Sequence, residues 1–226
     1  MLVISATAEW RSAHAGAIIG LLELSGVLNT QASPQLDARK RETEAHLRTR
    51  WQGFSRKEFL ALPVMSAYEK YYKRFNKTYH VLLQVESIVG KGKSLPDVSP
   101  LVDANFVAEV DTLVLTAGHD AAKLRDPVSF DVSRDDDEMT QMNGTARAIR
   151  AGDMVMRDAG GVCCSILYGQ DSRSPISSET SHALYVAYAP AGVGAEAVEA
   201  QLGRVEENVR SFSPRVVVEQ HRLLRA

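Results

Sequence analysis

The sequence has few of the residues and motifs that most often identify a protein's chemistry. Its only cysteines in 226 residues, Cys163 and Cys164, are adjacent, which excludes a disulfide framework and a four-cysteine zinc site. It has no GxSxG elbow, no glycine-rich phosphate loop ending in Lys-Ser/Thr and no HExxH motif. No apolar run approaches the roughly 20 residues of a membrane-spanning helix. The first 16 residues lack the basic and apolar regions of a signal peptide, so we expect a cytoplasmic protein.

Charge is balanced over the whole chain but not along it. The net charge of -2, with 45% hydrophobic and 24% charged residues, is typical of a globular domain and excludes a polycation that coats nucleic acid. Residues 1–100 nevertheless hold 14 Lys and Arg against 9 Asp and Glu, whereas residues 101–226 hold 12 against 19. The basic half is explained either by solvated helix faces or by a surface that contacts a phosphate backbone.

Hydrophobic periodicity predicts helices early in the chain and strands late in it. β-Branched and aromatic runs predict strands at 17–24, 162–168 and 183–189, and a short strand within 152–161. Apolar residues three and four apart predict helices at 67–77, 80–92 and 194–212. Ser33 and Pro34 mark the start of a mostly exposed helix that reaches Trp51, and Pro96 and Pro100 are expected to frame a turn. The pattern indicates an α+β (mixed α/β) fold.

Two polar clusters interrupt the apolar sequence. In the first, His119 and Asp120 follow an apolar run, where a histidine beside a carboxylate can act as a polarised base or donate to a substrate carbonyl. The alternative is a histidine in a structural hydrogen bond, with Asp120 as the N-cap of the next helix. The second cluster is the loop 169–180, which holds Asp171, Arg173, Ser174 and Ser177 between two buried strands. Its alternative is a turn rich in Gly, Ser and Pro.

Three other features have plain structural interpretations. Cys164 lies inside an apolar strand with no charge nearby, which is typical of a packed, inert thiol. The aromatic stripe from Tyr68 to Phe75 could stack on bases, although its helical spacing favours a core face. The acidic run Arg134–Glu138 could bind a divalent cation through its carboxylates, but it lacks the alternating ligands and the glycine of a calcium loop, so we expect an exposed loop.

Several short motifs follow one another in a defined order and spacing, namely Lys73–Phe75, Val89–Gly92, Leu95–Pro96, Pro100–Asp103, Gly118–Asp120 and the Gly-x-Asp-x-Arg sequence at 169–173. Together they resemble the B3/B4 domain, the editing domain in the β subunit of bacterial phenylalanyl-tRNA synthetase, and in particular the free-standing B3/B4 proteins. The resemblance covers about residues 66–213. The resemblance implies a layered sandwich in which helices pack on a mixed β-sheet. It places a B3/B4-like domain at 61–226, preceded by a strand and helical part at 1–60 that is integrated with the core.

The resemblance also assigns residues to a site. In the synthetase, this domain hydrolyses tyrosine wrongly attached to the phenylalanine tRNA. His119 falls where the family often has an aromatic residue, and Ala104–Phe106 falls in a pocket-lining segment that usually contains an Asn. An ungapped alignment puts that Asn opposite Phe106, so its assignment to Asn105 needs a shift of one residue. Gly169, Asp171, Arg173 and Thr180 match the later loop. The acidic residue that recognises the tyrosine hydroxyl has no position here, and we expect no aminoacylation activity.

These features predict an editing-type hydrolase that deacylates mischarged aminoacyl-tRNA in trans. His119 is expected to hold water or polarise the ester, and Asp120 to orient the local structure. The expected binding residues are Asn105, Phe106, Asp171, Arg173, Ser174 and Thr180. Exchange of His119 for Ala should then abolish deacylation and leave the melting temperature nearly unchanged. The expected partner is an aminoacyl-tRNA or a tRNA 3′ end, with no metal, cofactor, membrane or obligatory protein partner. The alternative is a B3/B4 protein that binds tRNA, RNA or a small ligand without catalysis.

Overall fold

The computed structural model describes residues 2–29 and 33–226, and its helices pack on two sheets, which confirms the predicted α+β class. The helices are α1 (Ala8–Ala13), α2 (Pro34–Arg50), α3 (Arg56–Ala61), α4 (Pro63–Lys73), α5 (His80–Lys91), α6 (Pro100–Thr112) and α7 (Ala195–Arg210), with a 3₁₀ turn at Ala121–Lys123. The strands are β1 (Ile4–Ala6), β2 (Ile18–Ser25), β3 (Thr116–Asp120), β4 (Val128–Val132), β5 (Glu138–Thr140), β6 (Ala146–Ala148), β7 (Met154–Asp158), β8 (Gly161–Ser165), β9 (Gly169–Gln170), β10 (His182–Ala189) and β11 (Val217–Arg225).

The two sheets differ in strand direction. The five-stranded sheet has the order β1-β4-β7-β8-β9 and is mixed, because β1 runs parallel to β4 while the other neighbours are antiparallel. The four-stranded sheet has the order β11-β2-β10-β3 and is antiparallel throughout. Strands β5 and β6 form a separate ribbon. The segment 1–60 therefore supplies one strand to each sheet, whereas the predicted boundary at residue 60 stays a prediction.

The central strands of the four-stranded sheet are buried on both faces. β2 and β10 pair along their whole length, and almost every residue in them is buried, as their continuous apolar sequences predict. Helix α7 covers one face closely at Gly20. A Cβ at this position would lie 2.5 Å from Val198 Cγ1, so only glycine permits the approach.

The helix signals of the sequence are present as hydrogen bonds and backbone angles. The Ser33 hydroxyl accepts a bond of 3.2 Å from the Leu36 backbone N–H, and Pro34 opens α2. Gly92 ends α5 in the left-handed conformation, with φ of 63°. The aromatic stripe of α4 is a core face, because the hydroxyls of Tyr68 and Tyr72 donate to backbone carbonyls of the sheet region at 2.7 Å each.

Several elements depart from the predictions, and two of them have a clear physical reason. Pro100 does not frame a turn with Pro96, because it opens helix α6. The periodicity of α6 is hidden because polar residues are buried in it beside the apolar ones; Asp103, for example, receives a bond of 2.8 Å from the buried Lys40 ammonium. Strand β11 was not predicted either. It is an edge strand with mixed exposure and an irregular register at Val218 to Gln220, so it lacks a clean alternation.

Candidate binding cavity and the buried network behind it

A cavity of about 430 Å³ lies between α5, α6, β3, β10 and the chain around β9. This volume falls within the roughly 300–1,000 Å³ that is typical of small-ligand sites. Its walls are mainly apolar, with Phe106 from α6, Ile176 from the loop after β9 and Tyr185 from β10 among them. His80 and Met142 are exposed residues of its lining, and we call them its mouth.

Gly118 determines the shape of one wall. It pairs with Tyr185 across β3 and β10, and a Cβ at Gly118 would lie 2.7 Å from Ile176 and 3.1 Å from the Tyr185 ring. The missing side chain therefore lets these two groups meet over the strand. Because neighbouring residues of a strand point to opposite faces, His119 is directed away from this wall.

Asn105 and Glu109 provide polar groups one helical turn apart on α6. The Asn105 side-chain N–H donates to the Thr116 carbonyl at 2.8 Å, and a Glu109 carboxylate oxygen accepts from the Thr116 backbone N–H at 2.7 Å. Gln201 from α7 supports Asn105 and Thr116, since its amide donates to Thr116 Oγ1 at 2.9 Å and to Asn105 Oδ1 at 3.4 Å. Burial raises the pKa of Glu109 to about 8, so this carboxyl holds its proton at neutral pH.

Two glutamine amides complete the polar part of the wall. Gln84 Oε1 is buried and has no hydrogen-bond partner among residues 2–29 and 33–226. Gln170 is held in place by its Nε2, which donates to the carbonyls of Gly118 at 2.9 Å and Ser174 at 3.1 Å. A buried amide oxygen without a partner favours a ligand that donates a hydrogen bond.

The hydroxyl and thiol in the wall are not activated for attack. Burial raises the pKa of Cys164 to about 12, so its thiol stays protonated. The Ser165 hydroxyl donates to the buried carboxylate of Asp153 and accepts from the Leu167 backbone N–H at 3.2 Å. Burial raises the pKa of Asp153 to about 7. The arrangement is suited to binding and to positioning water, without a covalent nucleophile.

His119 lies in a polar network behind this wall. Its imidazole is fully buried, and Nδ1 lies 2.9 Å from Ser174 Oγ. Because the Ser174 hydroxyl donates its proton to Asp171 at 3.0 Å, the histidine donates through Nδ1, and Nε2 has no partner in the described chain. Burial lowers the pKa of His119 to about 4, so it is neutral at pH 7.

The same network holds Arg173 between two carboxylates. Its guanidinium lies 3.0 Å from Asp158 and 2.5 Å from Asp171, while a third of the side chain remains exposed. A Cβ at Gly160 would lie 2.1 Å from Arg173 Nη1, so a larger residue there would displace the guanidinium. These pairs raise the pKa of Arg173 and neutralise its charge with two partners from its own chain.

Asp120 and Thr180 form a neighbouring contact. Asp120 accepts from the Ala122 backbone N–H at 3.2 Å and caps the 3₁₀ turn, which is the structural alternative considered for it. The Thr180 hydroxyl donates to the other carboxylate oxygen of Asp120 at 2.9 Å. The Asp120 backbone N–H donates to the Ser174 carbonyl at 2.9 Å and so joins this contact to the network.

The residues predicted for the site thus fall into two groups. Asn105 and Phe106 line the cavity, whereas the other six, His119, Asp120, Asp171, Arg173, Ser174 and Thr180, lie in the connected contacts behind β3 and outside the cavity lining. The roles given to them in catalysis and binding stay predictions. The sequence analysis did not identify Gln84, Glu109 and Gln170 as site residues. Each is a polar residue in a largely apolar helix or strand, and this pattern was the signal that could have identified them.

The acidic run is partly ordered by ion pairs. Asp137 pairs with Arg157, which also contacts Asp131 at 2.9 Å. Within the described ranges, no group of three or more His, Cys, Asp or Glu side chains is arranged to hold a metal ion. In the same ranges, no helix is long and apolar enough to cross a membrane.

No family model matches this chain, and no curated protein matches it in sequence. Among solved structures, it is similar to the crystal structure of an N-terminal fragment of the phenylalanyl-tRNA synthetase β subunit from Pyrococcus horikoshii, with a TM-score of 0.47 and 7% identity. The alignment covers 93% of this chain and 49% of that one, so this chain spans about half of the fragment. A likeness of this degree does not establish a shared fold or function.

Proposed function

We propose that the chain binds the aminoacyl group of a mischarged aminoacyl-tRNA in the cavity and hydrolyses its ester in trans. The observation that carries this proposal is the cavity of about 430 Å³, which has apolar walls and a few polar groups at fixed positions. That combination fits an amino acid, which has an apolar side chain beside an amine and a carbonyl. The motif resemblance to B3/B4 editing domains supports the tRNA ester as the substrate class.

Recognition is assigned to the wall residues. Phe106 and Tyr185 contact the amino-acid side chain, and the unpartnered Gln84 Oε1 accepts a hydrogen bond from the α-amino group. We assign to Glu109 the part of the acidic residue for which the motif resemblance offers no position. With a pKa of about 8, it is a carboxylic acid at neutral pH and can donate to a ligand oxygen.

The chemistry requires positioning more than a strong base. A water molecule adds to the ester carbonyl carbon, the bond from that carbon to the ribose oxygen breaks, and the ribose oxygen takes the proton that the water loses. The ester is already activated, so fixed orientation and polarisation of its carbonyl supply much of the rate. Gln170 is the proposed orienting group, because two backbone carbonyls fix its amide in the wall.

His119 enters this proposal as a positioning residue. Its imidazole fixes Ser174, and the Ser174 carbonyl in turn accepts from the Gln170 amide at 3.1 Å. Asp120 supports the same segment through the Ser174 carbonyl. The proposal takes aminoacyl-tRNA as the partner and the cytoplasm, where such esters are made, as the location.

A second candidate is a binding protein that uses the same cavity without hydrolysis. It is favoured by the positions of the titratable residues expected to be catalytic, His119 and Asp120, because neither belongs to the cavity lining. This candidate predicts saturable binding of an amino-acid ester or a tRNA end with no release of product.

The test is release of amino acid from a panel of mischarged tRNAs, with free aminoacyl esters as minimal substrates. We expect wild-type protein to deacylate one or a few members, and Gln170→Ala to reduce the rate about tenfold or more with little change in melting temperature. Leu83→Ala is the matched control, because Leu83 is 44% exposed on α5 and lies outside the cavity lining.

Three outcomes are informative. Release that is lost in Gln170→Ala and kept in Leu83→Ala supports the hydrolase. Binding without release from any member establishes the second candidate. An absence of both binding and release across the panel ends the assignment of tRNA esters to this cavity.

A further inference from the structure

Two basic side chains, Lys77 and Arg147, contact the ring of Tyr168, and a third, Arg150, reaches the backbone carbonyl of Phe75, two residues before Lys77. We propose that Lys77, Arg147 and Arg150, named here the basic cluster, bind the phosphate backbone of the RNA strand whose aminoacylated end occupies the cavity. This inference rests on the proposed function, because it assigns the part of the substrate that lies outside the cavity.

The three cations are held at defined positions by rings and by the backbone. Lys77 Nζ lies 4.4 Å from the centre of the Tyr168 ring, and Arg147 Cζ lies 5.7 Å from the same centre. Arg147 Nε also donates to the side-chain oxygen of Gln141 at 3.2 Å. Arg150 donates to the backbone carbonyl of Phe75. These contacts orient the side chains but leave their charges uncompensated.

The basic cluster lacks the carboxylate partners that two other arginines of the fold have. Within residues 2–29 and 33–226, no carboxylate lies within 4.0 Å of the three cations, whereas Arg157 and Arg173 each have two. Burial and the neighbouring Arg150 and Arg147 lower the pKa of Lys77. Like charges held this close repel each other, so an anion bound among them relieves the repulsion.

The basic cluster and the cavity share two segments of chain. Tyr168 precedes Gly169, which belongs to the cavity wall. Gln141, the partner of Arg147, donates to the Tyr168 carbonyl at 3.3 Å and precedes Met142, a mouth residue that is 63% exposed. Lys77 and Arg147 are thus held by residues whose chain neighbours line the cavity.

This placement favours a single-stranded RNA end over an acidic protein. A ligand that occupies both sites needs a small apolar group at one end and closely spaced anions next to it, which describes an aminoacylated RNA terminus. Arginine and lysine contacts to phosphates fix the register of a nucleic acid without reading its bases. Recognition of the amino acid is then left to the cavity.

The experiment compares two variants that each lose three positive charges. Lys77→Gln, Arg147→Gln and Arg150→Gln together remove the basic cluster. Lys57→Gln, Lys91→Gln and Lys93→Gln together remove exposed cations elsewhere in the fold. The dissociation constant of unacylated tRNA is measured at salt concentrations between about 50 and 200 mM. Each phosphate contact to a single strand contributes roughly 0.7 to the slope of log K against log salt, so the cluster variant should lose about 2 from that slope.

The controls separate this proposal from the proposed function. The cluster variant should keep the wild-type rate on free aminoacyl esters, which have no phosphate, and lose rate on aminoacyl-tRNA at low substrate concentration. An equal loss of slope in both variants, or no tRNA binding by wild type, overturns the proposal that the basic cluster binds RNA. Release of amino acid from free esters tests the proposed hydrolase activity separately. If the triple variant does not fold, the exposed Arg147→Gln alone should lower the slope by about 0.7, and an unchanged slope then overturns the proposal.

Discussion

The polar groups on the two sides of β3 differ in whether their hydrogen bonds are satisfied within the chain. Behind the strand, His119, Ser174, Asp171 and Arg173 bond mainly to one another, and the network fixes a loop. In front of it, Gln84 retains a buried acceptor and Glu109 holds a proton at neutral pH beside an open volume. Polar residues within apolar sequence are buried on both sides of the strand. Whether such a residue stabilises the fold or is available to a ligand depends on whether open volume lies beside it.

The largest expected effect comes from breaking the network at Asp171. Its carboxylate accepts from the Ser174 hydroxyl and backbone N–H and pairs with Arg173. Asp171→Ala should lower the free energy of unfolding by about 3 kcal/mol or more, because it leaves these groups without a partner. Urea unfolding measures the change. Asp111→Ala, which removes a more exposed pair with Arg204, should cost less than about 1 kcal/mol. Equal costs would contradict the contrast.

His119→Ala should lower the free energy of unfolding by about 2 kcal/mol, because it opens a void and removes the partner of Ser174. This differs from the unchanged melting temperature that the sequence led us to expect. As a positioning residue, His119 should also affect kcat/KM on free esters at a temperature where the variant is folded. A stability loss with unchanged kcat/KM would restrict His119 to a structural role.

Glu109→Gln tests the cavity side through pH. Folded wild type keeps the Glu109 proton up to about pH 8, whereas the unfolded chain releases it near 4.5, so the free energy of unfolding falls as pH rises through this window. His14 and His119, with pKa values lowered to about 4, contribute a slope of opposite sign that is the same in both proteins and cancels. Between pH 6.5 and 7.5, wild type should lose about 1 kcal/mol more per pH unit than the variant.

Parallel urea titrations at several pH values measure this difference. Asp153 contributes a slope of the same sign in both proteins and therefore cancels. Identical slopes for wild type and Glu109→Gln would mean that Glu109 is ionised in the folded chain.

The smallest effect on stability is expected for Phe106→Ala. Phe106 is only partly buried and faces the cavity, so its removal should cost less than about 1.5 kcal/mol. The KM for an amino-acid ester should rise about tenfold, because apolar contact with the ligand is lost. Steady-state kinetics on free esters provide the measurement. A stability loss comparable to that of Asp171→Ala would place Phe106 with the structural residues.

The sequence predicted the fold more fully than the site. Helix caps and apolar periods act locally, so Ser33, Gly92 and the strands around β2 and β10 could be located from neighbouring residues. Helix α6 was missed because several of its polar residues are buried, so its pattern has no solvent face. The same burial concealed Glu109.

The position of the cavity could not be predicted from sequence patterns, because it depends on contacts between distant residues. His119 and Gly118 are adjacent, yet one belongs to the network and the other to the cavity wall. Strand alternation predicts that they face opposite ways, but which side is open depends on the packing of Ile176 and Tyr185 over Gly118. These contacts join distant parts of the chain.

The burial of the tyrosines gives the molecule a built-in optical probe. Of its seven phenols, six have a pKa raised by burial, namely Tyr68, Tyr71, Tyr72, Tyr79, Tyr185 and Tyr188. Phenol ionisation changes ultraviolet absorbance, and these six stay protonated while the chain is folded at mildly alkaline pH. Unfolding exposes these six phenols to water and removes the cause of the raised pKa. An alkaline absorbance titration therefore reports the loss of the fold through their ionisation.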